Sequence, residues 1–306
     1  MNIAVTGGAG FIGSHTVERL LSVGMKVTVI DNLTTGCEEN LPAGVPLICM
    51  DILDPAIQRV FSENHFDAVI HLAAQTKVPV SQADPMLDCQ LNVMGTVNVL
   101  EACRKTGVKR VVFASTAAVY GDAQELPIKE ATAADTQSFY GLSKLTVEKY
   151  LEMYYRSFGL EYVVFRYANV YGERQCDGGE GGVVSIFSRK VAKGEAVTVY
   201  GDGEQTRDFI YAGDIAEANY MALQTDYVNC VYNVSTMSEL SVNSLIQAFE
   251  EVSGSKVYIE KAPLRAGDIF RSCLDHQQLM SKLKWAPKTD FLTGLTRTYR
   301  WSCSRL

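Results

Sequence analysis

The chain has no hydrophobic run that approaches the roughly 20 residues needed to cross a bilayer. No positively charged segment precedes a signal-like apolar stretch, and residues 2–8 are typical of a buried strand that feeds a turn. The 8 cysteines include no CxxC pair, which argues against a zinc site and favours reduced thiols. We therefore expect a cytoplasmic protein without a membrane span.

Histidine and positive charge are also scarce. The 4 histidines lie at no metal-binding spacing, so we expect no metal site. The net charge of −7, without a lysine or arginine block, argues against a nucleic-acid surface. With 47% hydrophobic residues and 8 prolines, the 306-residue chain can bury a large core. The expected partner is a small molecule.

Short β-branched runs alternate with helix-like segments over the first two thirds of the chain. This pattern predicts an α/β fold with a doubly wound parallel sheet, because each intervening stretch is long enough for a crossover helix. The predicted strands are Asn2–Thr6, Lys26–Ile30, Pro46–Met50, Ala68–His71, Arg110–Ser115 and Tyr162–Arg166.

A glycine-rich turn after the first strand predicts a dinucleotide site. The spacing G-x-x-G-x-x-G lets the backbone approach a pyrophosphate at a helix N-terminus. Asp31, which ends the second strand, can accept hydrogen bonds from both ribose hydroxyls and would repel a 2′-phosphate, so NAD is favoured over NADP. An ordinary tight connection is the alternative. The expected contacts are Gly7, Gly10, Phe11, Ile12, Gly13, Asp31, Asn32, Thr35 and Gly36.

The end of the third strand offers a further cofactor contact. Asp51, followed by Ile52, can bind the adenine amino group, or it can simply form the turn that ends the strand.

Tyr140 and Lys144 form a Tyr-x-x-x-Lys pair at the start of a helix, where this spacing puts both side chains on one face. A tyrosine with its ordinary pKa near 10 is a poor base, and we expect Lys144 and an oxidised nicotinamide to stabilise the phenolate. Thr116 ends a central strand and can hold a substrate hydroxyl toward Tyr140. An amphipathic helix start with an extended lysine is the alternative.

Together these motifs resemble the extended short-chain dehydrogenase/reductase superfamily, in its NAD-dependent epimerase/dehydratase branch. Residues 71–74, 115–121, 166–172 and 200–210 carry the likeness beyond the glycine turn, and the last two resemble UDP-glucose 4-epimerases. The resemblance implies cofactor contacts at Leu72, Ala73, Ala74, Asn92, Tyr140 and Lys144. It implies contacts to a nucleotide diphosphate at Asn169, Arg207, Arg265 and Asp268. Helix packing for Asn92 and surface ion pairs for the arginines are the alternatives.

Ala117 and Ala118 occupy the positions where related dehydratases carry carboxylates for eliminating water. The sequence therefore favours 4-epimerisation of a UDP-hexose through a 4-keto sugar. Epimerisation of another nucleotide sugar such as UDP-glucuronate, or a non-catalytic NAD-binding regulator, is the alternative.

Ser272 stands, by resemblance, where glucose-restricted epimerases have a tyrosine and enzymes of 2-acetamido sugars have a small residue. We therefore expect UDP-GlcNAc and UDP-GalNAc as further substrates, unless Ser272 is an ordinary loop residue.

We divide the chain into an NAD-binding domain at residues 1–166, with a return segment near 206–235, and a nucleotide-sugar lobe at 167–306. Helices over Met86–Lys105 and Tyr140–Phe158 carry more apolar residues than packing on a sheet requires. They indicate a homodimer interface, or a face that the C-terminal lobe or a loop covers. Gly178–Gly182 reads as a lid or as a disordered connection.

Overall fold

The computed structural model describes residues 1–175, 182–264 and 269–306. The strands of the described chain are β1 (Asn2–Thr6), β2 (Lys26–Asp31), β3 (Leu47–Cys49), β4 (Ala68–His71), β5 (Arg110–Thr116), β6 (Glu161–Tyr167), β7 (Asn169–Tyr171), β8 (Val197–Tyr200), β9 (Thr206–Arg207), β10 (Phe209–Tyr211), β11 (Cys230–Val234), β12 (Leu240–Ser241), β13 (Ile259–Ala262) and β14 (Arg271–Ser272).

The helices are α1 (Phe11–Ser22), α2 (Ile57–Asn64), α3 (Val78–Ala83), α4 (Pro85–Asp88), α5 (Gly95–Thr106), α6 (Phe139–Phe158), α7 (Val183–Ala192), α8 (Ala212–Gln224), α9 (Val242–Ser253), α10 (Gln277–Leu283) and α11 (Phe291–Cys303). A π-helical turn at Cys89–Met94 joins α4 to α5, and short 3₁₀ turns lie at Glu38–Asn40 and Ala117–Tyr120. Within the described ranges, none of the helices combines the length and apolar character needed to cross a membrane.

Seven parallel strands form the main sheet in the order β11-β6-β5-β4-β1-β2-β3. The six predicted strands match to within one residue at each end, and the predicted fold class is confirmed. The strand order reverses between β1 and β4, which opens a crevice at their carboxyl ends. Hydrophobic cores on the two faces of the sheet hold this edge in place.

The rest of the chain builds a smaller lobe over that edge. Pairs β7–β10 and β8–β13 and the three-stranded sheet β12-β9-β14 surround a third hydrophobic core with α7, α9 and α11. Between these elements the chain returns to the main sheet, where β11 pairs with β6. The proposed division at residue 166 remains a prediction.

One predicted helix differs from the structure. The segment Met86–Lys105 is not one α-helix, because the π-helical turn interrupts it at Cys89–Met94. The Thr96 hydroxyl donates to the Asn92 carbonyl at 2.6 Å, which gives that carbonyl a partner outside the α-helical ladder. The turn places the Asn92 side chain against Gln75 and Ser143.

Candidate active site

The glycine turn is packed so tightly that side chains do not fit. Gly7 has a φ of +69°, and a Cβ there would lie 2.6 Å from the backbone nitrogen of Ala73. A Cβ on Gly13 would lie 2.0 Å from the Gly7 carbonyl oxygen. Gly10 caps α1 without a side-chain hydrogen bond, which leaves the first amides of the helix for an anion. The turn therefore fits a dinucleotide pyrophosphate.

Asp31 lies beside this turn at the end of β2. Its carboxylate accepts hydrogen bonds from the backbone amides of Ala9 and Leu33, each at 2.9 Å, so the loop fixes its orientation. Asn32 donates to Asp51 at 2.8 Å, which connects the ends of β2 and β3. Thr35 is exposed, and a Cβ on Gly36 would lie 2.9 Å from the Ala9 backbone.

The remaining cofactor residues are placed in different ways. Asp51 also accepts from the Leu53 amide at 2.8 Å, as expected for a residue that ends a strand. The Ile52 side chain is buried against Gly95, so it packs inside the protein. Phe11 stacks edge-on with His15, and Ile12 packs against the core beneath the sheet.

Leu72, Ala73 and Ala74 follow β4 and are half-buried. The Leu72 amide donates to the Thr6 carbonyl at 3.0 Å, which holds this loop beside the glycine turn.

Asn92 connects this loop to α6. Its side chain accepts from the Gln75 amide at 2.8 Å, and it donates to the Gln75 carbonyl at 3.0 Å and to Ser143 Oγ at 3.1 Å.

Tyr140 and Lys144 lie on the first turns of α6 because Ser138 caps this helix by accepting from the Gly141 amide at 3.0 Å. The Thr116 hydroxyl, at the carboxyl end of β5, lies close enough to the Tyr140 phenol to lower its pKa. Lys144 is only 3% exposed, and its Nζ donates to the Ala114 carbonyl at 2.9 Å. The structure thus brings together the three residues predicted to be catalytic.

Burial governs the proton affinities of this pair. Desolvation raises the pKa of Tyr140 to about 12, although the nearby Thr116 hydroxyl opposes this increase. Desolvation lowers the pKa of Lys144 to about 8, opposed by the charge of Asp88. The Tyr-x-x-x-Lys motif predicts that Lys144 stabilises the Tyr140 phenolate. In the folded chain desolvation outweighs the protein's own stabilising contacts, so at neutral pH these groups hold Tyr140 as a phenol.

The predicted diphosphate contacts lie on the smaller lobe. Asn169 begins β7, and its backbone amide donates to the Asp208 carbonyl at 2.9 Å. Arg207 and Ser272 are paired neighbours in the parallel strands β9 and β14. Arg207 donates to the Thr206 carbonyl at 2.8 Å. Arg265, Asp268 and most of the proposed lid at Gly178–Gly182 lie outside the described residues.

Asp208 follows Arg207 in the chain and could have formed a surface ion pair with an arginine. It is instead fully buried and accepts from Thr236, Met237 and Leu274.

Sequence reasoning missed several polar residues around the pair. Glu148 lies one turn beyond Lys144 and binds Arg166 of β6, while Asp88 lies one turn before Asn92 and binds its side chain. His71 is held between the Thr6 and Thr96 hydroxyls, and burial lowers its pKa to about 3. The i,i+4 spacing was visible for Asp88 and Glu148, but only the fold shows that they are buried.

A tight glycine turn and a buried Tyr-Lys pair on two sides of one crevice define a dinucleotide-dependent enzyme of the doubly wound class. A model of the NAD-dependent epimerase/dehydratase family matches residues 3–235. The chain belongs to this family.

Three solved structures extend the comparison. A UDP-glucose 4-epimerase of Thermotoga maritima, solved with UDP-glucose, is 40% identical with a TM-score of 0.96, over 100% of this chain and 99% of that one. A UDP-glucose 4-epimerase of Thermus thermophilus, solved with NAD, is 43% identical with a TM-score of 0.94, over 100% of both chains. A UDP-N-acetylglucosamine 4-epimerase of Methanobrevibacter ruminantium, in complex with UDP-N-acetylmuramic acid, is 37% identical with a TM-score of 0.95, over 100% of this chain and 99% of that one.

Proposed function

We propose that the chain is an NAD-dependent 4-epimerase that interconverts UDP-glucose and UDP-galactose. The observation that carries this proposal is the meeting of Tyr140, Lys144 and Thr116 at the carboxyl end of β5, beside the crevice that the glycine turn borders. Relatives of 40% and 43% identity, which bear the same activity in their names, support it.

The residues present suit NAD. Gly7, Gly10 and Gly13 would admit the pyrophosphate, and Asp31 would bind the adenosine ribose. Contacts from Asn32, Thr35, Gly36, Asp51, Leu72, Ala73 and Asn92 would complete this site. When bound, NAD would supply the acceptor and then the donor of the hydride at carbon 4 of the sugar.

The chain's own residues move the proton. The positive charge of an oxidised nicotinamide would add the stabilisation that Tyr140 needs to become a phenolate. In that form Tyr140 accepts the proton of the sugar 4-hydroxyl, while Thr116 holds that oxygen toward it. Lys144 stays within reach of this chemistry because the Ala114 carbonyl fixes its ammonium group. After the 4-keto sugar turns its other face, Tyr140 gives the proton back. Ala117 and Ala118 lack the carboxyl groups that elimination needs, which leaves oxidation and reduction at one carbon.

A tethered diphosphate allows the sugar to turn while the nucleotide stays bound. A guanidinium pairs with two phosphate oxygens at once, so Arg207 is suited to this task, with Asn169 nearby. We propose the same role for Arg265 and Asp268.

A small residue beside the sugar would leave room for an N-acetyl group. Ser272 is half-buried and is the register neighbour of Arg207, so it lies next to a proposed diphosphate anchor. The relative named as a UDP-N-acetylglucosamine 4-epimerase supports a second substrate pair, UDP-GlcNAc and UDP-GalNAc.

We also propose that the chain acts as a homodimer and works in the cytoplasm. Met94 is 58% exposed and Met153 is 53% exposed, and Tyr150 lines a shallow pocket with Met94. Such neighbouring apolar side chains are typical of a protein interface. Part of the apolar surplus of these two helices belongs to the core instead, since the following residues are fully buried: Val99, Leu100, Val147 and Leu151.

The assay that tests the activity uses the purified protein with UDP-glucose, UDP-GlcNAc and UDP-glucuronate separately, without added reductant. We expect proton NMR to show the anomeric signals of the 4-epimers of the first two sugars. Turnover of UDP-glucuronate alone would favour a uronate epimerase. An absence of turnover with all three, despite bound NAD, would favour a non-catalytic regulator.

A further inference from the structure

Asp88 is a buried carboxylate that the reaction described above does not use. It ends α4, immediately before the π-helical turn, and is only 1% exposed. Its Oδ1 accepts hydrogen bonds from the side-chain amides of Gln75 at 2.8 Å and Asn92 at 3.1 Å. In the described part of the chain, no lysine, arginine or histidine forms an ion pair with it. Two neutral amides compensate a buried carboxylate less well than a cation would.

The charge of Asp88 reaches both members of the Tyr-Lys pair. Desolvation dominates the pKa of Lys144 and lowers it to about 8, and Asp88 opposes this by favouring the ammonium form. Desolvation also raises the pKa of Tyr140 to about 12, and Asp88 adds to this increase. One carboxylate therefore makes both groups hold their protons more strongly.

Other charged groups near the pair do not have this effect. His71 on β4 faces Lys144, but burial lowers its pKa to about 3, so it is neutral over the working range. Glu148 lies one turn beyond Lys144 on α6 and is neutralised by Arg166, with the closest oxygen and nitrogen 2.6 Å apart. Among the described residues, Asp88 is thus the carboxylate whose charge raises the pKa of Lys144.

We propose that Asp88 is a positioning residue of the epimerase site, which keeps Lys144 charged and braces Asn92 and Gln75 against α6. The inference rests on the proposed function, because it assigns Asp88 a part in the proton transfer of Tyr140. The bracing passes through the Asn92 side chain, which binds Asp88 and Ser143 of α6 together.

Two neutral variants test the charge. Asp88→Asn keeps the size of the side chain and an oxygen that accepts from Gln75 and Asn92. Asp88→Ser is a second neutral variant, which serves if Asp88→Asn does not fold. Asp84→Asn is the matched control, because Asp84 is exposed and caps α4 by accepting from the Leu87 amide at 2.9 Å, a role that asparagine also fills.

The first measurement is the pH profile of kcat/KM for UDP-glucose. Removal of a negative charge makes neighbouring groups lose their protons more easily, so the pKa values of both Tyr140 and Lys144 fall. We expect both limbs of the profile to move to lower pH by about one unit in the neutral variants. The Asp84→Asn profile should match the wild type. If kcat/KM falls at every pH but the two limbs of the profile stay at the same pH, Asp88 only supports the structure. This result would overturn the proposal.

The second measurement needs no turnover. Phenolate absorbance is titrated for each protein with and without Tyr140→Phe, and the difference reports Tyr140 alone. We expect this transition at lower pH in the neutral variants than in the wild type. If the wild type turns over no UDP-sugar but the transition moves, the proposed function fails and the electrostatic role stands. If UDP-glucose is epimerised and neither the limbs nor the transition moves, the role of Asp88 is wrong.

Discussion

At the residue scale, the site depends on where a few side chains meet the sheet edge. The Thr116 hydroxyl accepts from the Ala118 amide at 3.1 Å and lowers the pKa of the nearby Tyr140 phenol, so the end of β5 brings the two hydroxyls together. Lys144 is tied to the same strand through the Ala114 carbonyl. β5 thus orients the Thr116 hydroxyl and the Lys144 ammonium group together. The proposed reaction depends most on Tyr140, because its phenol is the group that exchanges a proton with the sugar.

We expect Tyr140→Phe to lower kcat at least about 100-fold, because it removes the only proposed acid and base for the 4-hydroxyl. NAD binding should persist, since the glycine turn is untouched. The measurements are steady-state turnover of UDP-galactose and cofactor binding by fluorescence. Tyr150→Phe, on the exposed face of α6, is the control and should keep full activity. Near-normal turnover of Tyr140→Phe would disprove the assignment.

Ser272→Tyr tests the choice of sugar. A tyrosine beside Arg207 would fill the space that we propose for the N-acetyl group, and a steric conflict lowers binding selectively. We expect kcat/KM for UDP-GlcNAc to fall about 10-fold more than that for UDP-glucose. Ser272→Ala, which keeps the space open, is the control. An equal loss with both sugars would show that Ser272 does not select between them.

At the scale of elements, the position of α6 against β5 and β6 sets the distance between the reacting groups. Ser115 donates to Glu148 at 2.5 Å, and Glu148 binds Arg166 through both of its oxygens. These contacts fix the middle of α6, one turn beyond Lys144. The sequence predicted the helix and its Tyr-x-x-x-Lys face, because hydrophobic spacing and motif are local signals. It did not predict the ion pair, because that depends on which strands become neighbours.

The π-helical turn shows the same limit. The spacing of apolar residues predicts one helix over Met86–Lys105. A π-helical turn is wider than an α-helical turn, but over only six residues it barely changes this spacing. The turn arises from contacts between distant segments, such as that of Asn92 with Gln75. The glycine turn, by contrast, could be predicted. Its tight backbone packing requires glycines at fixed positions, and their spacing is visible in the sequence.

We expect Glu148→Gln to lower the free energy of unfolding by about 3 kcal/mol, because it leaves the buried guanidinium of Arg166 without its counter-charge. The two side chains are 5% and 8% exposed, so water cannot replace the lost partner. Denaturant unfolding measures the change. Glu152→Gln, whose ion pairs lie on the surface of the same helix, should change stability by less than about 1 kcal/mol. Similar values for both variants would contradict the proposed support of α6.

At the scale of the whole molecule, the sheet, the crevice and the smaller lobe form one working unit. After the smaller lobe, the chain returns to the main sheet, where β11 pairs with β6. Residues of β1, β6 and β11 pack in the same hydrophobic core. The fold class could be predicted from alternating strands and helices. The sequence could not show which apolar residues of α5 and α6 are exposed. Both helices have apolar residues on the side that packs in the core and on the side that faces outward.

The proposed dimer is tested on that outer face. Met153→Glu places a charge among exposed apolar side chains, which an interface tolerates poorly because the charge must lose its water. We expect wild-type protein to sediment as a dimer and Met153→Glu as a monomer that still unfolds cooperatively. Tyr258→Glu is the control, since Tyr258 is also an exposed apolar residue but lies beside β13 in the smaller lobe. If the wild type sediments as a monomer, or if Met153→Glu stays dimeric, α5 and α6 do not form the interface.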